Sequence, residues 1–259
     1  MNFRNVFKSL VTVGCAVAWI VGAYPAPANA SVVIAGTRVI YSAGEPETTL
    51  KLSNEGKSPS LVQAWIDAGD PKASPSTSSV PFTISPPISR IDPAKGQTLR
   101  IIYTGEPLPK DKESVFWLNV LEVPPKPGVD ESDVNHLQLA FRSRIKLFFR
   151  PSGLQGQADD APEKLGWQLK KSGNEPAIEV SNPTPYHVSL ILIEVHAGEK
   201  VATFDDGAMV GPHETVTFPL KGDVTSADGA TVHYTALNDY GGPVNGDVSL
   251  RQGTAASSK

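Results

Sequence analysis

From Leu137 to Phe149 the chain alternates: Leu137, Leu139, Phe141, Ser143, Ile145, Leu147 and Phe149 hold the odd positions, while Gln138, Arg142, Arg144 and Lys146 fall among the even ones. A period of two belongs to a β-strand, whose successive side chains leave opposite faces. At about 3.3 Å per residue, the run would extend roughly 43 Å, about twice the length of an ordinary strand. One face of such a strand is longer than a small domain can bury, and a lysine stands in its second half.

The rest of the chain fits the same class. No amphipathic helix of ten or more residues is apparent, and 23 prolines with 22 glycines interrupt the sequence throughout. Short alternating runs recur between turn signals at SVVIAGTRVIY (31–41), TTLKLSN (48–54), LVQAWID (61–67), QTLRIIYT (97–104) and SVFWLNVLEV (114–123). This spacing, with Trp65 and Trp117 available for a core, predicts an all-β, immunoglobulin-like sandwich over residues 31–151. The polar stretch 152–162 has no periodicity and is expected to connect domains. Strand-like runs resume at WQLKK (167–171), AIEVSN (177–182), HVSLILIEVHA (187–197), ETVTFPL (214–220) and ATVHYTALND (230–239), predicting a second β-domain over 163–250. The tail 251–259 has almost nothing to bury and is expected to be disordered.

Residues 1–30 have the pattern of a cleavable secretory signal: Arg4 and Lys8, an apolar run from Leu10 to Val21, and Ala28-Asn29-Ala30 before the expected cut. The apolar run is short for a membrane span and ends in Pro25 and Pro27, and Thr12 does not suit a lipoprotein signal around Cys15. Cleavage would remove the one cysteine and leave 229 residues, enough for two modest cores held by burial alone. Losing Arg4 and Lys8 takes the formal charge from −4 to −6. An acidic chain of this kind is not expected to bind nucleic acid, and any use of positive charge must be local.

Little points to catalysis. The five histidines lack metal-ligand spacing, and neither a G-x-S-x-G elbow nor a Gly-rich phosphate loop is present. No metal and no cofactor is expected. Acid pairs at Asp159–Asp160 and Asp205–Asp206 have the setting of solvated turns. More conspicuous are Arg38, Arg100 and Lys146, each inside an otherwise apolar strand run.

LPKDKESVFWLNVLEVP (108–124) resembles the signature of the periplasmic pilus-assembly chaperones, the PapD-like family. TRVIY (37–41), QAWI (63–66), ISPPISRIDP (84–93), LQLAFRSRIKLFFRP (137–151), NPTPYHV (182–188) and NDYGG (238–242) extend the resemblance over nearly the whole chain after residue 30. It implies two immunoglobulin-like domains in an L, and a chaperone that lends a strand to pilus subunits and passes them to an outer-membrane usher. By the same resemblance, Arg38 and Lys146 grip the subunit's C-terminal carboxylate. Leu137, Leu139 and Phe141 fill its open groove, and Arg100, Glu113 and Asp239 form an ionic cluster between the domains. The loop KPGVDESDVNH (126–136) is a few residues longer than in PapD but much shorter than in the long-loop chaperones, and it lacks the cysteine pair of that class, which suits the short-loop class. The competing readings are a structural fimbrial subunit, which would carry a donor extension and a disulfide, and a secreted carbohydrate-binding sandwich, which would need an exposed aromatic or acidic cluster.

Overall fold

The computed structural model describes residues 31–126, 138–173, 175–224 and 226–250. The expected leader, Leu137 and the expected tail lie outside the described residues. The architecture is all-β, as the sequence predicts: two immunoglobulin-like sandwiches in succession.

The first sandwich contains β1 (Val32–Ile34), β2 (Arg38–Ser42), β3 (Thr48–Asn54), β4 (Ser60–Asp67), β5 (Phe82–Ser85), β6 (Ile88–Ile91), β7 (Gly96–Tyr103), β8 (Ser114–Val123) and β9 (Phe141–Arg150). One sheet runs β1-β3-β7-β5 and the other β2-β9-β8-β4-β6. The run 31–41 is therefore two strands in two sheets. Gly36, at φ +132°, makes the crossing, a conformation open to a residue without Cβ. Between the sheets, Leu52, Leu99, Ile101, Leu118 and Leu147 are fully buried, Phe82 meets Phe116 edge to face at 4.9 Å, and Tyr41 stacks on Phe149 at 5.8 Å.

Trp65 is buried, but neither it nor Trp117 packs in the core between the two sheets. Trp117 is paired with Lys146 across β8 and β9, so it shares the lysine's face, opposite Leu147 and Phe149. Arg144 stacks over Trp117 at 4.2 Å and Arg142 over Trp65 at 4.8 Å. The same arginines are satisfied by polar groups: Arg144 Nη2 bonds Asp67 Oδ1 at 2.5 Å, and Arg142 Nε bonds Asn119 Oδ1 at 2.9 Å.

β9 is shorter than the alternation suggests. Its pairing with β8 ends where Phe141 faces Glu122, because Pro124 and Pro125 follow β8 and proline cannot donate to a ladder. Gln138 Nε2 instead donates to the carbonyls of Pro124 and Pro125, each at 3.0 Å.

The second sandwich contains β10 (Gly166–Ser172), β11 (Glu175–Ser181), β12 (Val188–Ala197), β13 (Lys200–Phe204), β14 (Ala208–Val210), β15 (Thr215–Pro219), β16 (Lys221–Gly222), β17 (Thr231–Leu237) and β18 (Pro243–Ser249). β10-β11-β15 form one sheet and β16-β13-β12-β17-β18 the other, with β14 beside β12. Ile178, Val180, Ile193, Val195 and Val232 are fully buried between them, and Ala161 from the connecting segment is buried against the same core. In β12 the register with β17 jumps between Leu190 and Leu192, so Ile191 is an extra, bulged residue.

Candidate functional site

Two cations meet where the sandwiches touch. β2 and β9 are parallel, and their register sets Arg38 beside Lys146. Lys146 Nζ lies 5.7 Å from the Trp117 ring centroid and donates to Ser189 Oγ of the second sandwich at 3.3 Å. Arg38 lies over the Phe148 ring at 5.8 Å, and its Nη1 donates to the Leu237 carbonyl at 3.3 Å. Arg38 Nε is buried with no hydrogen-bond partner among the described residues. Among these residues neither cation has a carboxylate within 4.0 Å; the nearby acids are engaged by Arg150.

Two like charges at partly buried positions make this arrangement electrostatically unfavourable. Burial, then the neighbouring Arg38 charge, pulls the Lys146 ammonium down from the ordinary lysine value of 10.5 to about 8. Burial likewise lowers Arg38, against the opposing attraction of Asp239 and Glu113. A carboxylate arriving between them would remove the like-charge penalty and gain charge-assisted hydrogen bonds.

The ionic cluster is close by, with a different cation from the one expected. Arg150 Nε donates to Glu113 Oε1 at 2.6 Å, and its two terminal nitrogens bind Asp239 at 2.6 and 2.8 Å. Glu113 Oε2 also accepts from the His187 backbone N–H at 2.8 Å. Burial alone would lower the Arg150 pKa, but its bonds to Asp239 and Glu113 prevail and raise it. Glu113 and Asp239 do converge, whereas Arg100 takes no part. Arg100 lies on β7 between the fully buried Leu99 and Ile101, so it points away from the core into solvent, where its Nε bonds Glu47 at 2.8 Å. The alternation carries the signal for Arg150: it shares the even face of β9 with Arg142, Arg144 and Lys146, four residues beyond the lysine.

Below the cations, the odd face of β9 runs past the end of the core. Leu147 is fully buried, whereas Phe141 is 51% exposed and Leu139, just before the strand, 52%. The apolar face thus continues uncovered where the sandwich stops. Leu137, the third expected donor residue, lies outside the described residues.

The description "Pili and flagellar-assembly chaperone, PapD N-terminal domain" matches residues 31–155, and "Pili assembly chaperone PapD, C-terminal domain" matches residues 160–248. The chain belongs to this family of pilus-assembly chaperones. It is 44% identical over 230 residues to the probable fimbrial chaperone YadV of Escherichia coli, covering 88% of this chain and 93% of that one. To the chaperone protein FimB/FhaD of Bordetella pertussis it is 50% identical over 222 residues, covering 83% and 86%. Among solved structures, the YadV chaperone superposes with a TM-score of 0.73 at 44% identity, over 85% of this chain and all of that one. The SafB chaperone of Salmonella enterica, solved in complex with the SafA pilin, gives 0.71 at 30% identity over 87% and 99%. These relatives are chaperones, and neither the structural-subunit nor the carbohydrate-binding reading is favoured beside them. Among the described residues, no helix of this chaperone is long and apolar enough to cross a membrane.

Proposed function

We propose that this chaperone captures pilus subunits in the periplasm by their C-terminal carboxylate at Arg38 and Lys146, lends its exposed strand to the subunit's open groove, and delivers the subunit to an outer-membrane usher. The observation that carries this reading is the pair of partly buried cations with no carboxylate within 4.0 Å among the described residues, at one end of a strand whose apolar face is left open at the other. A carboxylate held at the cations fixes the register of the peptide beside β9, so Leu139 and Phe141, and by sequence Leu137, enter the groove at set positions. Backbone bonds to β9 would satisfy the subunit's unpaired edge. Arg150, Glu113 and Asp239 hold the two sandwiches in the relation that keeps Ser189 and Leu237 against the cations. The relative solved with a pilin supports a subunit as the ligand. The leader pattern of residues 1–30 supports export.

The test is co-expression of a candidate subunit with the chaperone and with Arg38→Ala and Lys146→Ala variants. Both variants are expected to fold and to lose the one-to-one complex. Undiminished co-purification would refute the carboxylate grip.

A further inference from the structure

An open pocket of about 340 Å³ adjoins Lys146 and Ser189. Its walls are mostly apolar: Trp117 from the first sandwich, and Ile191, Ala208, Met209 and Leu237 from the second. Ile191 is the bulged residue of β12, 41% exposed, a large apolar side chain presented to the pocket by an interruption in the ladder.

We propose that this pocket receives the side chain of the subunit's last residue, so that the chaperone selects subunits ending in a sizeable apolar residue. The inference rests on the carboxylate reading above. A terminal carboxylate and its own side chain share one Cα, so a carboxylate at Lys146 brings that side chain to the adjoining wall. Lys146 supplies positive charge for the carboxylate, while Ser189, whose hydroxyl already accepts from Lys146, is the one other polar side chain among the lining residues. Glycine would leave Ile191 and Met209 uncovered. A leucine or phenylalanine would bury apolar surface on both sides, enough to favour it roughly ten- to hundred-fold. Because Trp117 and the other wall residues come from different sandwiches, the Arg150–Asp239 bond also sets the pocket's width.

The test uses synthetic peptides of alternating valine and lysine that differ only in the last residue, glycine, serine, leucine or phenylalanine, each as free acid and as amide. Binding to the whole chaperone is measured by titration calorimetry. The leucine and phenylalanine acids are expected to bind roughly ten- to hundred-fold tighter than the glycine and serine acids. Ala208→Leu, which fills the pocket, should erase that ratio by weakening the large residues alone. Met209→Ala, which widens it, should move the preference towards phenylalanine. Equal affinities for all four acids, with amidation still abolishing binding, would overturn the pocket and leave the carboxylate reading standing. Binding that ignores amidation, or no binding by any acid, would overturn the carboxylate reading and the pocket with it.

Discussion

Replacing Lys146 with methionine and Ser189 with alanine together should stabilise the free chaperone while disabling it. The interval between 10.5 and about 8 corresponds to about 3 kcal/mol spent keeping a buried ammonium charged. Partial solvent access reduces this to about 1–2 kcal/mol. Methionine keeps most of the side chain's length over Trp117 and removes the charge, relieving Arg38 as well. Ser189 Oγ would lose its donor, at a cost comparable to the gain, so the informative variant pairs Lys146→Met with Ser189→Ala. The sign follows from linkage. Below about pH 8 the lysine is protonated in both folded and unfolded chains, and the full burial cost is present. Between about 8 and 10.5 the folded chain gives up its proton first, so wild-type stability rises with pH relative to the variant. Denaturant unfolding near neutrality and near pH 10 measures this directly. The double variant should be more stable by about 1–2 kcal/mol near neutrality, with its advantage shrinking towards pH 10.5. It should also fail to retain subunit. A variant less stable near neutrality, or a difference that does not change with pH, would refute the claim that the Arg38–Lys146 pair stores charge repulsion.

Arg150→Ala leaves the buried Glu113 carboxylate without its cation and should cost about 3–5 kcal/mol, whereas Arg100→Ala, at an exposed pair, should leave thermal unfolding essentially unchanged; equal effects would contradict the cluster. Leu139→Arg and Phe141→Arg should block co-purification with subunit without lowering the melting temperature, and Gln138→Arg should act more weakly because its side chain lies on the other face. Gly241→Ala forces a Cβ at φ +79° into Thr37 Oγ1, a contact between the sandwiches, and should cost about 1–3 kcal/mol, with scattering reporting the altered domain relation.

What the sequence makes legible is whatever a period of two determines. The longer strands of the first sandwich, the open face at Leu139 and Phe141, and the setting of Arg38 and Lys146 in apolar strands follow from alternation, whereas β5 and β6, four residues each, are too short to show it. Where an element departs from that period, sequence reading loses it. β18, PVNGDVS, is an edge strand whose inward face holds only Val244, Gly246 and Val248, too weak an alternation to announce it. The run 31–41 looks continuous although Gly36 sends its two halves to different sheets. Trp65 and Trp117 look like core residues by type, but strand pairing assigns Trp117 to the cation face. Arg100 enters the expected cluster by resemblance rather than by face. Its buried neighbours Leu99 and Ile101 already required it to point away from the core, while the even face of β9 held the cation that Glu113 and Asp239 use.

The division of charge at the cleft follows from those faces. Three cations, Arg38, Lys146 and Arg150, gather within a short span of β2 and β9, and both Asp239 and Glu113 attract Arg38 from a distance while bonding Arg150 directly. Arg150 wins because it meets Asp239 with two parallel bonds and Glu113 with a third, a geometry only a guanidinium supplies. Its success leaves Arg38 and Lys146 under-neutralised. The bonds that join the two sandwiches are therefore also what leaves the neighbouring cation pair charged, and under the proposed function domain geometry and ligand capture would rest on one allocation of two acids among three bases.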